Sequence, residues 1–127
     1  MAELYALIDT AIRARGAALM GVVNVTPDSF FDGGRYTEPG AAEARVDALI
    51  DAGANIIDVG GESSRPGAPR VPAPEQIRRV GPAITHAVRR GAIASVDTMD
   101  PEVADHALRA AKICPNGSFI AATAARC

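Results

Sequence analysis

The sequence predicts an α/β fold with parallel strands, and two observations lead to that prediction. Three short apolar runs alternate with helix-like stretches along the 127 residues, and short connections in that order require parallel strands joined by right-handed crossovers. Each apolar run also opens into a polar loop where the strand is predicted to end. Ligands bind at that carboxyl edge in parallel α/β sheets, so the three loops are the expected functional region.

Residues 1–18 are predicted to form an N-terminal helical segment ahead of the first strand. Apolar side chains at Leu4, Ile8 and Ile12 recur at the spacing of one helix face. The pattern stops at Gly16, and glycine commonly follows the last turn of a helix.

Residues 19–112 are predicted to form one domain of three strand–helix units. The strands cover 19–24, 55–59 and 92–96, and each is followed by an amphipathic stretch. The second of these helices contains Pro82 after a glycine, and this pair is predicted to kink the helix or to split it in two.

Residues 113–127 are predicted to be an atypical tail that does not continue this design. The turn-forming sequence Cys114-Pro115-Asn116-Gly117 stands where a fourth apolar strand is due, and the last residues are mostly alanine. A truncated or frameshifted reading frame is the interpretation that this departure favours.

Composition and charge exclude several classes of protein. A formal net charge of -2, from 13 basic and 15 acidic residues, gives no basic surface for nucleic acid. No apolar run approaches the roughly 18 residues of a membrane span. Cys114 and Cys127 lack metal-ligand spacing and are interpreted as free thiols, which are typical of a reducing cytoplasm. We therefore expect a cytoplasmic protein without a nucleic-acid or membrane partner.

The loop after the second strand has the residue types of an anion site. Gly60 and Gly61 let the backbone approach a ligand, and Ser64 and Arg65 add hydroxyl and guanidinium donors suited to phosphate. The same residues also fit a tight turn with a surface arginine. This loop alone does not decide between the two interpretations.

Asn24 and Asp97, at the ends of the first and third strands, each allow two interpretations as well. Asn24 is either a turn initiator or an amide-oxygen ligand of the kind that suits Mg²⁺. Asp97 either caps a helix or accepts two hydrogen bonds from a ring with adjacent N–H groups. His86 and His106 stand alone on predicted helices, so structural or solvated roles are expected for both.

Three motifs taken together resemble the dihydropteroate synthase family of pterin-binding enzymes. They are Asn24-Val25-Thr26-Pro27-Asp28-Ser29-Phe30, Asp58-Val59-Gly60-Gly61-Glu62-Ser63-Ser64-Arg65-Pro66-Gly67 and Ser95-Val96-Asp97-Thr98. The resemblance implies a (β/α)₈ TIM barrel, of which this chain corresponds to about the first three βα units. It also implies a transferase that joins 6-hydroxymethyl-7,8-dihydropterin pyrophosphate to 4-aminobenzoate, giving dihydropteroate in folate biosynthesis.

The resemblance assigns catalytic roles to three residues. It implies that Asn24 contacts a pyrophosphate–Mg²⁺ unit, which makes Asn24 the expected metal ligand and Mg²⁺ the expected cofactor. Ser64 and Arg65 are expected to contact the pyrophosphate and to help order the aminobenzoate pocket.

The resemblance also assigns substrate-binding roles. Asp97 is expected to bind the pterin ring, and Phe30 and Pro66 are expected to line the aminobenzoate pocket, where sulfonamides compete. Thr26 and Asp28 belong to the same substrate-binding set.

The family's later strands supply further ligands that have no counterpart after Ala111. We therefore expect the chain to be inactive alone, and the complete protein to act on small-molecule substrates, with a homodimer as its candidate assembly. Two alternatives stay open. One is another pterin-binding barrel, such as a methyltetrahydrofolate methyltransferase-like domain, and the pyrophosphate-type loop argues against it. The other is a non-catalytic ligand-binding remnant.

Overall fold

The chain forms a four-stranded parallel sheet joined by helices, in a computed structural model that describes residues 2–26, 40–63, 66–112 and 119–123. The strands follow one another across the sheet in sequence order, and every neighbouring pair is parallel. That arrangement confirms the predicted α/β fold. In chain order the elements are α1 (Ala2–Arg15), β1 (Met20–Asn24), α2 (Ala41–Asp51), β2 (Ile56–Gly60), α3 (Ala73–Arg89), β3 (Ile93–Thr98), α4 (Pro101–Lys112) and β4 (Phe119–Thr123).

Two helix boundaries follow from the backbone chemistry that the sequence predicts. α1 ends before Gly16, which has a φ of 82°. α4 begins at Pro101, and the Asp100 carboxylate accepts a hydrogen bond from the Glu102 backbone N–H at 2.9 Å. None of the helices within the described ranges is long and apolar enough to cross a membrane.

α3 is one continuous helix although it contains a proline. Of the two predicted outcomes at Pro82, the split is therefore wrong, and the kink stays a prediction. Proline removes one backbone donor, but Pro82 is exposed, so water can hydrate the carbonyl group that loses its partner. The neighbouring residues Val80, Ala83 and Ile84 are fully buried, and their packing holds the helix together across the proline.

β4 corrects the expectation that the strand pattern ends at Lys112. Phe119–Thr123 runs parallel to β3, with Phe119 opposite Ala94. The segment Phe119-Ile120-Ala121-Ala122 is a short apolar run that follows the turn-forming sequence 114–117, so it begins later than the position directly after α4 where a strand was expected. The expected boundary between a domain and a tail at residue 112 stays a prediction.

One face of the sheet, which we call the helix-covered face, packs against α2, α3 and α4. Alternate residues of β1, β2 and β3 point to this face, and their apolar side chains there join those of the helices in one continuous core. The fully buried members of this core include Val23, Ile57, Val59 and Val96 from the strands and Val46, Val80, Ile84 and Val103 from the helices.

The other face, which we call the open face, is covered only in part. Met20 and Val22 of β1 lie on it and are 54% and 50% exposed. α1 covers its amino end, where Leu4 packs against Ile56 and Ile93, the first residues of β2 and β3. α1 therefore occupies the side of the sheet opposite to the other helices.

A polar contact joins α2 to α3 on the surface. His86 Nε2 lies 2.7 Å from Asp47 Oδ1, and the Arg90 guanidinium also pairs with Asp47. The hydrogen bond from His86 is the largest cause that lowers the pKa of Asp47. His86 thus has the structural role that the sequence predicted, whereas His106 is exposed.

The exposed apolar side chains of β1 should make the chain bind an anilinonaphthalene sulfonate dye. Replacing Met20 by Gln together with Val22→Thr should lower the dye fluorescence by roughly half, because it removes apolar area from the open face. Leu108→Gln is the control, since Leu108 on α4 is 39% exposed but lies away from the open face. Fluorescence titration measures the effect, and an equal loss in both variants would contradict this location of the dye.

Candidate functional site

Three strands each place one residue in a row at the carboxyl edge of the open face. The parallel register puts Asn24 opposite Gly60 and Gly60 opposite Asp97. Neighbouring strands lie about 4.8 Å apart, so the backbones of Asn24 and Asp97 are separated by roughly 10 Å. We call Asn24, Gly60 and Asp97 the carboxyl row. The register thus brings together two residues that the sequence identified separately.

Gly60 leaves a gap in the middle of the carboxyl row. A Cβ atom built on Gly60 would lie 3.5 Å from Asn24 Oδ1 and 4.0 Å from Asp97 Cβ. These are ordinary van der Waals separations, so packing does not demand glycine at this position. The missing side chain instead leaves room between an amide and a carboxylate, where a ligand can reach both.

Gly61 has a different role from Gly60. A Cβ atom built on Gly61 would lie 3.0 Å from Val80 Cγ1 and 3.2 Å from the Gln76 carbonyl oxygen, both on α3. Gly61 therefore allows β2 to pack closely against α3 on the helix-covered face. Of the two glycines that were expected to admit a ligand, the geometry supports that role for Gly60 only.

The pKa of Asp97 is raised by its surroundings. Partial desolvation of its carboxyl group against the sheet is the largest cause, although the residue as a whole is exposed, and the negative charge of Asp58 is the second. Asp58 lies on β2 and accepts a hydrogen bond from Ser95 Oγ at 2.6 Å. A ligand that donates N–H groups to Asp97 would replace part of the solvation that its carboxylate has lost.

Asp58 and Ser95 lie next to the site. The sequence does not single them out, because they stand inside the apolar runs of β2 and β3. They face each other across β2 and β3, one step below the carboxyl row. Residues two apart on a strand point to the same face, so Asp58 shares a face with Gly60, and Ser95 shares a face with Asp97. This two-residue spacing is the sequence signal that could identify both residues. The charge of Asp58 makes this part of the open face polar.

The other predicted site residues fall into two groups. Thr26 is 7% exposed and follows β1, where the Val25 N–H donates to the Gly60 carbonyl oxygen at 2.8 Å. Pro66 is exposed and precedes Gly67, which has a φ of 79°. The residues that lie outside the described part of the chain, and whose roles stay predictions, are Asp28, Phe30, Ser64, Arg65, Cys114 and Cys127.

The donor set of the carboxyl row is compatible with Mg²⁺ bound together with a substrate. In the part of the chain that the structure describes, no three His, Cys, Asp or Glu side chains form a metal site. Asn24 presents an amide oxygen at an exposed position. Mg²⁺ commonly takes one or two protein oxygens and completes its coordination with substrate phosphates and water, and Asn24 fits that pattern.

Comparison with known proteins decides the family. Residues 20–117 match the family model described as pterin binding enzyme. The chain belongs to this family. Membership confirms the family resemblance that the three motifs predicted.

Relatives of the chain within this family include dihydropteroate synthases. The Streptococcus pyogenes enzyme is 50% identical over 95 residues, which are 74% of this chain and 36% of that protein. The solved structure of the Xanthomonas albilineans enzyme with 4-aminobenzoic acid is 48% identical with a TM-score of 0.62, covering 73% of this chain and 35% of that one. The Yersinia pestis enzyme in a sulfonamide drug complex is 40% identical with a TM-score of 0.67, covering 73% and 34%. The chain therefore spans about a third of the length of these relatives and has the fold of part of their barrel.

Asp58→Asn should lower the pKa of Asp97, because it removes the negative charge that is the second cause of the raised value. A carboxylate accepts ring N–H groups only when it is deprotonated, so this acceptor is lost as the pH falls through the raised pKa. Removing the charge of Asp58 moves that loss to lower pH. Carboxyl NMR titration of Asp97 measures the change. Ser95→Ala, which keeps the charge of Asp58, should have the smaller effect, and a larger effect from Ser95→Ala would contradict the assignment.

Proposed function

We propose that this chain forms the first ligand-binding part of a dihydropteroate synthase. The complete barrel would condense 6-hydroxymethyl-7,8-dihydropterin pyrophosphate with 4-aminobenzoate and release pyrophosphate. The observation that carries the proposal is the carboxyl row, in which an amide oxygen and a carboxylate flank the gap at Gly60. A pterin pyrophosphate offers these two groups what each can bind, since it has ring N–H donors at one end and phosphate oxygens for a cation at the other.

The reaction needs no nucleophile from the protein. Ionisation of the C–O bond leaves a pterin-stabilised cation and pyrophosphate, and the arylamine nitrogen then bonds to the methylene carbon and loses a proton. Catalysis consists of stabilising the charge of the departing pyrophosphate and of holding the amine in line. Bound Mg²⁺ would supply part of that charge stabilisation.

In the proposal, separate residues of this chain bind the pterin ring, the pyrophosphate and the aminobenzoate. Asp97 accepts hydrogen bonds from the pterin ring. The desolvation that raises the pKa of Asp97 favours a ligand that donates hydrogen bonds to its carboxylate. Asn24 holds the pyrophosphate–Mg²⁺ unit, and Ser64 and Arg65 donate to the pyrophosphate. The remaining substrate-binding residues of the proposal are Thr26, Asp28, Phe30 and Pro66, with the last two beside the aminobenzoate.

We also propose the compartment, the partners and the assembly of the complete protein. Cys114 and Cys127 lack metal-ligand spacing, and their interpretation as free thiols is the basis for proposing a reducing, cytoplasmic environment. The partners are small-molecule substrates, and a homodimer is the assembly to test by light scattering. Sulfonamides, which share an aniline ring with aminobenzoate, would compete at Phe30 and Pro66.

Gly60→Ala tests the gap in the carboxyl row. The added methyl group fits at 3.5 Å from Asn24 Oδ1, so the thermal midpoint should stay nearly unchanged. Affinity for pterin pyrophosphate with Mg²⁺, measured by calorimetry on the chain and on the complete barrel, should fall at least about tenfold, because the methyl group occupies space that the ligand needs.

Gly61→Ala is the matched control for this substitution. Its methyl group would meet Val80 Cγ1 at 3.0 Å, so this variant should lose stability by about 1 to 3 kcal/mol. Unchanged affinity in Gly60→Ala would remove the main support for a ligand between Asn24 and Asp97.

Arg65→Ala tests the proposed pyrophosphate contact in the complete barrel. Loss of a charge-assisted hydrogen bond worth about 1.5 to 3 kcal/mol should lower kcat/KM for pterin pyrophosphate at least about tenfold. Steady-state assays of dihydropteroate formation measure this effect.

Arg89→Ala is the control for Arg65→Ala, because Arg89 is an exposed arginine at the far end of α3. Both variants should fold alike, and only Arg65→Ala should lose activity. Equal kinetics in the two variants would count against the pyrophosphate contact. Ligand binding without any turnover by the complete barrel would favour the non-catalytic remnant instead.

A further inference from the structure

A chain of hydrogen bonds joins the loop after β2 to the end of β3. Glu62 Oε1 accepts from the Val71 N–H at 2.9 Å, and the Val71 carbonyl oxygen accepts from Gln76 Nε2 at 2.8 Å. Gln76 Oε1 accepts from Thr98 Oγ1 at 3.2 Å. Thr98 Oγ1 in turn accepts from the Asp100 N–H at 3.0 Å. We call these linked groups the Gln76 relay.

The relay has one consistent arrangement of donors and acceptors. Gln76 is fully buried, and the Val71 carbonyl oxygen can only accept, so the NH₂ group of Gln76 must face it. The amide oxygen is then left to accept from the Thr98 hydroxyl. Breaking either bond would leave buried polar groups unpaired, which is costly.

The relay links two elements of the proposed site. Glu62 and Val71 close the two ends of the loop that carries Ser64 and Arg65, and Glu62 also pairs with Arg70 Nε at 3.1 Å. At its other end the relay reaches Thr98, the residue after Asp97. The sequence gives no sign of this link, because a lone glutamine near the start of a helix looks like a solvated residue.

We propose that Gln76 and Thr98 are positioning residues that hold the Val71 end of the loop after β2 against the strand end that carries Asp97. This inference rests on the proposed function for the role of the loop, but the relay itself is independent of any ligand. The Val71 end of the loop is thus linked to a hydroxyl group on β3, outside the loop.

Amide hydrogen exchange of the unliganded chain tests the relay directly. The Val71 N–H is itself a member of the relay, so its exchange reports whether the loop end is held. Thr98→Val keeps the shape of the side chain but removes the hydroxyl group, and it should speed Val71 exchange about tenfold. Thr98→Ser keeps the hydroxyl group and should leave the rate near that of the unaltered chain.

Amides at the centre of the core separate positioning from general destabilisation. The Val59 and Val96 amides should change much less than Val71 in Thr98→Val. Equal acceleration of all three would show that Thr98 is merely structural, and an unchanged Val71 rate would show that no relay exists. Either result overturns the proposal.

Gln76→Met provides a second variant that does not depend on Thr98. Trypsin should cut it after Arg70 several-fold faster than the unaltered chain, since Val71 then loses its carbonyl contact, and adding Thr98→Val should increase the rate little further. Additive effects, or trypsin rates equal to that of the unaltered chain, would overturn the relay. Arg65 precedes proline, so cleavage there does not confuse the assay.

Inorganic pyrophosphate with Mg²⁺ tests the function of the loop separately. It should slow Val71 exchange in the unaltered chain, and less so in Thr98→Val. If pyrophosphate changes nothing while Thr98→Val still speeds exchange, the relay stands and the proposed ligand of the loop is wrong.

Discussion

Backbone hydrogen bonds between β1, β2 and β3 hold Asn24, Gly60 and Asp97 level with one another. A shift of one residue in either pairing would turn the alternate side chains of a strand to the opposite face. Asp97 would then point into the apolar core, and the core valines would point away from the helices. The burial of valine and isoleucine on the helix-covered face therefore fixes the register, and the register fixes the candidate site.

The same alternation explains why neighbouring glycines have unrelated roles. Gly61 points to α3, where a methyl group would overlap Val80, whereas Gly60 points to the open face. Gly21 resembles Gly61, because a Cβ atom built on it would lie 2.9 Å from Leu49 Cδ1 on α2. Two of these three glycines bring helices close to strands, and the third keeps space free at the carboxyl row. Composition alone cannot separate these roles, since Gly60 and Gly61 are adjacent in the sequence.

Much of the fold follows from local patterns in the sequence. Strand–helix alternation predicts three parallel strands, and the Asp100-Pro101 pair predicts the start of α4. β4 escapes prediction because its apolar run, Phe119-Ile120-Ala121-Ala122, comes only after the turn-forming sequence 114–117, where the strand was expected. The continuity of α3 through Pro82 also escapes, because it depends on which side of the helix is exposed, and that is a property of tertiary packing.

The site is predicted less completely than the fold. Motifs identify Asn24 and Asp97 because polar residues at strand ends stand out from the apolar runs before them. Asp58 is concealed inside such a run, and the role of Gln76 depends on contacts 5 and 22 residues away in sequence. The contact with Thr98 arises only when α3 has packed against β3.

The position of α1 limits how far down the open face a ligand could reach. A strand rises about 3.3 Å per residue, so the Asp58 and Ser95 level lies roughly 7 Å below the carboxyl row, and Ile56 and Ile93 lie roughly 13 Å below it. Leu4 of α1 covers that lowest level with apolar side chains. A flat, polar ring that entered from the carboxyl edge over β2 and β3 would thus meet polar side chains down to the Asp58 and Ser95 level and apolar side chains below it. The helix therefore limits how far such a ring can travel, and the Asp58 carboxylate marks the last level at which its edge finds a hydrogen-bond acceptor.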